Sequence, residues 1–260
     1  MNTTPADGPL KSWLERDGRL LRLRLANPKA NLIDAAMIGA LDQALTEYLP
    51  APGLSCILLD AEGPHFSFGA SVEEHMPEHC AAMLAGLHGL LTRMLEAPLP
   101  ILAAVRGQCL GGGLEVVCAA SQIFAAGDAR FGQPEIKLAV FAPAASCLLP
   151  ERIGLPRAED MLFTGRSLDA NEASRAGLVQ HVGDDPEQAA LDWFETHIEP
   201  LSASSLRYAV RAARGPYLER VMENIARVEQ LYTDELMTSH DALEGLNAFV
   251  EKREPSWTDN

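Results

Sequence analysis

Gly107-Gln108-Cys109-Leu110-Gly111-Gly112-Gly113-Leu114-Glu115 is the stretch on which the reading of this chain turns. Before it, Pro100-Ile101-Leu102-Ala103-Ala104-Val105 is short and apolar and predicts a buried strand; after it, residues 114–120 are apolar and predict a helix. Glycines at a strand-to-helix turn let the backbone approach a ligand closely. The first N–H groups of the helix have no partner inside it and can receive a negative oxygen. Glu115 lies three positions after Gly112, on the same face of the first turn. Anion-accepting N–H groups beside a carboxylate suit chemistry in which an enolate forms and a proton moves. Taken alone, the same residues equally describe a turn with a glutamate placed by the helix dipole. Other glycine-rich chemistries fit worse. No Lys-Ser/Thr follows the glycines, their spacing is not that of a dinucleotide loop, and no Gly-x-Ser-x-Gly elbow occurs.

Composition sets the outer bounds. A chain of 260 residues, 47% hydrophobic and 22% charged, is globular and long enough for a substantial core. Against 36 Asp and Glu stand 21 Lys and Arg, a formal charge of -15. That disfavours nucleic acid and anionic membrane as partners, since both demand clustered basic residues, but leaves room for one anionic group held by a few local cations. The five cysteines, Cys56, Cys80, Cys109, Cys118 and Cys147, are scattered through apolar runs without metal spacing and read as buried free thiols of a reducing compartment. With no signal-peptide core in residues 1–19 and no apolar run of membrane-spanning length, the expected location is the cytoplasm.

Along the chain, residues 20–25 alternate apolar and basic as a half-buried strand would, and residues 33–49 have helical spacing. Residues 55–60 predict a strand, and residues 66–71 a loop leading to a helix over 80–96. Residues 122–126 predict one more strand. Strands alternating with helices argue for an α/β fold. After Leu155 the chain reads as helical, with Asp169 and Glu172 at capping-box spacing and Gly177 as a stop. From Pro186 on only helices are expected, separated near Pro200 and Gly215-Pro216, the last broken around Ser239 or Gly245. Residues 1–196 are read as the core carrying the site and 197–260 as a helical oligomerisation region.

A second carboxylate, Glu135, sits in Phe131-Gly132-Gln133-Pro134-Glu135-Ile136. Pro134 makes the turn before it stiff, and the apolar neighbours exceed what a solvated face needs. Together, Gly111-Gly112-Gly113-x-Glu115 and Phe131-Gly132-Gln133-Pro134-Glu135 resemble the crotonase superfamily, the enoyl-CoA hydratases and isomerases. Asn27-Pro28-Lys29-Ala30, residues 66–70, Leu162-Phe163-Thr164-Gly165 and Ala248-Phe249-Val250-Glu251-Lys252-Arg253 extend the resemblance over nearly the whole chain.

The resemblance implies a spiral of ββα units with a C-terminal helical trimerisation region, assembled as a homotrimer or homohexamer. It implies an acyl-CoA thioester as substrate, with no cofactor beyond the coenzyme A of the substrate itself and no metal. It assigns the backbone N–H groups of Ala70 and Gly112 to an oxyanion hole, Glu115 to activation of water and Glu135 to proton delivery. Lys29, Ala30, Phe249 and Lys252 are assigned to coenzyme A, the last two across a subunit boundary.

Two departures bear on the acyl group. Where relatives carry a glycine-rich run after the second glutamate, this chain reads Val140-Phe141-Ala142-Pro143-Ala144-Ala145-Ser146-Cys147, taken as a stiffened pocket loop. Ser71 stands where most relatives have Asp. Phe68, Ser71, Val140 and Phe141 are therefore expected to border the acyl pocket. With Leu148-Leu149-Pro150-Glu151-Arg152, these residues resemble the branch of the superfamily that hydrates a cyclic dienoyl thioester in anaerobic benzoyl-CoA breakdown. The implied product is 6-hydroxycyclohex-1-ene-1-carbonyl-CoA. The alternatives are a general enoyl-CoA hydratase, a ring-opening acyl-CoA hydrolase and a non-catalytic acyl-CoA-binding subunit. His75 and His79, interrupted by Pro77, read as ordinary loop histidines.

Overall fold

The computed structural model describes residues 8–27 and 29–260. Its main sheet has six strands in the order β1 (Leu10–Glu15), β2 (Leu20–Leu25), β3 (Cys56–Ala61), β4 (Ile101–Val105), β6 (Gln122–Ala126) and β9 (His181–Gly183). Only β1 pairs antiparallel; the other neighbours are parallel. A second sheet joins β5 (Gln108–Leu110), β7 (Arg130–Gly132) and β8 (Ser167–Asp169). The chain leaves β4 for β5, and β6 for β7, after only a few residues. Each pair is followed by helical turns, which is the repeated ββα unit expected.

The continuous apolar runs of β3 and β4 follow from burial on both faces. Leu21, Leu23, Ile57, Leu59 and Ile101 enter the main core with helices α1 (Ala35–Tyr48) and α2 (Cys80–Glu96). Leu20, Cys56, Leu58, Leu102 and Phe124 point the other way, against Ala190, Phe194 and Ile198 at helix α7 (Pro186–His197) and its end. Strand β2 is not half-solvated as its alternation suggested. Arg22 is only 3% exposed, its guanidinium 2.5 Å from Asp60 and 2.6 Å from Glu187. Carboxylates from β3 and α7 neutralise the basic residues that the alternation assigned to a solvent face.

Other local signals match closely. Asp34 caps α1 through the Met37 N–H, and Asp169 and Glu172 form a full capping box on α6 (Ala170–Ala176), which Gly177 ends in the left-handed region. The five thiols are free and buried. Three expectations are corrected. Residues 167–169 and 181–183 are strands inside the stretch read as helical. Helix α8 (Ala203–Gln230) runs unbroken through Gly215-Pro216; the later break, expected around Ser239 or Gly245, does fall at residues 231–239, before α9 (His240–Glu251). Most of the supposed pocket loop is helix α4 (Pro143–Ile153), started by a proline at its first position where no N–H is needed. Helix α5 (Leu155–Thr164) follows it directly. The region 197–260 folds back over the rest: Val221 and Ile225 of α8 join the main core, and Tyr232, Met237, Ala242 and Leu246 close over Cys80, Met83 and Val140.

Candidate active site

Helix α3 (Gly112–Cys118) starts at the end of β5, through Gly111 at φ 50° and ψ -129°, a conformation open to glycine and closed to L side chains. Residues 66–69 run beside β5, with the Ser67 N–H on Gln108 and the Leu110 N–H on Ser67. This pairing lays Ala70 against the start of α3: a Cβ on Gly112 would stand 3.3 Å from the Ala70 nitrogen. Among the described residues, neither the Ala70 nor the Gly112 N–H donates to any group. Two adjacent unengaged donors at a helix start are what a developing oxyanion requires.

Glu115 is 4% exposed, on the first turn of α3. Its Oε1 accepts the Ala145 N–H at 2.8 Å, so the carboxylate caps α4 from outside. The segment that replaces a glycine-rich run is thus the first turn of a helix whose free donors hold Glu115 in place. Burial pushes the Glu115 pKa up; the Ala145 N–H, the charge of His88 and the Ala144 N–H pull the other way.

Glu135 lies on a 3₁₀ turn (Pro134–Leu138), and its carboxylate backs onto the glycine turn, since a Cβ on Gly111 would come 2.6 Å from Glu135 Oε1. The buried Gln133 amide, oriented to satisfy both groups, donates to Glu135 Oε2 and Oε1 at 2.9 and 3.0 Å. Burial first, and then the Glu115 charge, raise the Glu135 pKa to about 8. The two carboxyls therefore feel one another, and one of them holds a proton near neutrality.

The remaining expected residues fall into separate groups. Val140 is buried in the cluster that α9 closes, and Phe141 packs there edge-on to Tyr232, centroids 5.3 Å apart. Phe68 is not part of that cluster. It is 42% exposed and edge-on to His65 at 4.9 Å, because the strand-like pairing of Ser67 turns the next side chain outward. Its N–H donates to the Ala30 carbonyl at 3.0 Å, which joins the Lys29-Ala30 turn to this edge of the site. Pro28 lies outside the described residues; Lys29 takes a positive φ of 89° and is exposed. Phe249 and Lys252 are exposed at the end of α9. Ser71 is half-buried, and its carbonyl lies 2.7 Å from His75 Nδ1. His75 is thus engaged on a 3₁₀ turn, and burial lowers its pKa, unlike an ordinary loop histidine.

Sequence reasoning missed the Ala145 N–H, the Gln133 amide, His88 and Tyr232. His88, 5% exposed on α2, sets Nδ1 2.5 Å from Glu229 Oε2, while its buried Nε2 has no partner among the described residues. Gln133 carried a signal by lying inside the quoted motif, and Ala145 by lying in the segment taken as a pocket loop. His88 comes from α2 and Ala145 from α4, while Tyr232 comes from the chain's end, in the cluster it shares with Val140.

A ββα spiral whose glycine turn offers two backbone donors beside a pair of glutamates defines a class of acyl-thioester enzyme. The sequence pattern of that class, Enoyl-CoA hydratase/isomerase, matches residues 15–260, and the chain belongs to this family. It is 64% identical over 252 residues to the cyclohexa-1,5-dienecarbonyl-CoA hydratase of Thauera aromatica, covering 97% of this chain and 98% of that one. Carnitinyl-CoA dehydratase of Salmonella arizonae is 32% identical over 254 residues, 94% of this chain and 97% of its own. Among solved structures, an enoyl-CoA hydratase from Mycobacterium avium superposes with a TM-score of 0.86 at 26% identity, covering 97% of this chain and all of that one.

Proposed function

We propose that this protein is a hydro-lyase adding water to cyclohexa-1,5-diene-1-carbonyl-CoA, to give 6-hydroxycyclohex-1-ene-1-carbonyl-CoA in anaerobic benzoyl-CoA breakdown. The observation that carries the reading is the carboxylate pair in unequal environments, Glu115 held by a backbone N–H and Glu135 raised to about 8, beside two free backbone donors. The choice of a ring rests on the 64% identical Thauera aromatica hydratase.

The thioester oxygen sits between the Ala70 and Gly112 N–H groups, which stabilise negative charge as it develops there. Glu115, ionised, takes one proton from water while the oxygen bonds to the carbon β to the thioester. Electrons move through the α-carbon onto the thioester oxygen, giving a dienolate. Glu135, protonated, then delivers its proton to the far end of the conjugated system, the ring carbon para to the new hydroxyl, and the remaining double bond is conjugated with the thioester. Water's second proton stays on the product hydroxyl, and the proton on Glu115 returns to Glu135 through solvent before the next turnover.

Coenzyme A is part of the substrate, and the chemistry calls for no further cofactor or metal. Lys29 and Ala30, tied to Phe68 at one edge of the site, and Phe249 and Lys252 at the end of α9, are proposed to hold it. We place the enzyme in the cytoplasm as a homotrimer or homohexamer. The exposed apolar side chains Leu155, Phe163, Leu201 and Tyr208 support assembly; the buried free thiols support a reducing compartment. No described helix is long and apolar enough to cross a membrane.

Turnover of cyclohexadienoyl-CoA and crotonyl-CoA measured in parallel tests the reading. The cyclic substrate should be hydrated with the higher kcat/KM; product from the linear one alone would make the protein a general enoyl-CoA hydratase. The acid role of Glu135 adds a pH dependence. A donor must carry its proton, so kcat/KM should decline as pH rises through about 8, where Glu135 ionises. The acid limb should lie above the ordinary carboxylate range, because burial also raises Glu115. A profile flat up to about pH 10 would remove Glu135 as donor.

A further inference from the structure

Tyr232 is fully buried, yet its hydroxyl has no hydrogen-bond partner among the described residues. It lies on a single π-helical turn (Leu231–Glu235) that interrupts the chain after α8, a local geometry frequent at functional sites. Its ring is fixed by Met83, Leu84, Val140, Met237 and Leu246 and by the edge-on contact with Phe141. A phenylalanine would fill that apolar cluster without leaving an orphaned hydroxyl, which is unfavourable for stability. The cluster that holds the phenol includes Leu138, on the same 3₁₀ turn as Glu135, and Val140, whose N–H donates to the Glu135 carbonyl, so Tyr232 packs on the segment that carries Glu135; the charges of Cys80, Glu135 and Glu115 bear on it. Burial and those charges keep its pKa above the ordinary tyrosine range, and the oxygen retains its proton at any working pH.

We propose that Tyr232 is a further catalytic residue, whose hydroxyl holds the attacking water together with Glu115. The inference rests on the ring-hydration reading above. In a simple enoyl hydration both glutamates can hold one water, because oxygen and proton go to adjacent carbons. Here the proton goes to the carbon para to the one attacked, so Glu135 must serve the distant carbon, and the water loses its second anchor. Tyr232 supplies it. The phenol oxygen accepts the hydrogen that stays with the product hydroxyl, leaving the other for Glu115 and a lone pair aimed at the β-carbon. The phenol keeps its own proton throughout, and no covalent bond to Tyr232 is made or broken.

The test is Tyr232→Phe, which keeps the ring in its cluster and removes one oxygen. With cyclohexadienoyl-CoA, kcat should fall by roughly 10- to 100-fold, KM should stay within about threefold, and Tm should be unchanged or higher. A purely structural hydroxyl would lower Tm and leave kcat alone, and kcat within about twofold of the parent enzyme overturns the proposal whatever Tm does. If the parent enzyme itself fails to hydrate the cyclic substrate, the functional reading falls first and this proposal falls with it.

Discussion

Replacing either Glu115 or Glu135 by glutamine is expected to lower kcat by roughly 10²–10⁴-fold while leaving acyl-CoA binding largely intact. In Glu115→Gln the new amide oxygen can still accept the Ala145 N–H, so the start of α4 keeps its cap, but the side chain can no longer take a proton from water. Glu135→Gln removes a carboxyl that burial and the Glu115 charge already keep from ionising. Its loss should therefore cost turnover and not stability, and Tm should hold or rise. The two variants should differ in their pH profiles. Glu135→Gln should lose the decline through about 8, and Glu115→Gln should lose the acid limb. Because the residues act as a pair, the double variant should be less impaired than the product of the single effects. Steady-state kinetics combined with calorimetric binding of the product thioester checks all three variants. Near-normal turnover in either single variant would take that residue out of the mechanism.

The second large effect is expected at Gly111→Ala. The backbone there sits at φ 50° and ψ -129°, and the added methyl would come 2.6 Å from Glu135 Oε1. Strain of this kind is on the order of 1–3 kcal/mol in stability. Relief by rotating the peptide would move the Gly112 N–H out of the oxyanion position, and relief by moving Glu135 would displace the proton donor. Either path should cost at least about 10²-fold in kcat. Gly39→Ala is the control: Gly39 lies in α1 with nothing within 4 Å of the added carbon, and it should gain up to about 1 kcal/mol with no change in activity. Thermal melting and kcat measured on both variants decide the matter. A Gly111→Ala enzyme that melts like the parent and turns over at the same rate would show that the turn does not set the site.

What the sequence determined by itself is the set of features coded over a few consecutive residues. The helix over 80–96, the capping box at Asp169 and Glu172 and the stop at Gly177 depend on side-chain period and backbone groups within a turn or two, and the structure has them where the residues put them. The family, too, was legible in the sequence, through ordered motifs that include Gly111-Gly112-Gly113-x-Glu115 and Gln133-Pro134-Glu135.

The tertiary structure alone decided what depends on distant partners. Strands of three residues such as β5, β7, β8 and β9 carry too little period to be read, because their hydrogen bonds are made across the fold. The segment after Glu135 read as a stiffened loop although Pro143 suits a helix start, because the cap that completes that start comes from a glutamate thirty residues earlier and leaves no local mark. The pKa of Glu135 has the same origin: neither burial nor the charge of Glu115 is written in Pro134-Glu135-Ile136. Tyr232 is the furthest case. Read along the chain it is one residue of a polar, helical C-terminus; only packing of that terminus over Cys80, Met83 and Val140 buries its hydroxyl without a partner, because proximity between residues far apart along the chain is a property of the folded molecule and not of its local sequence.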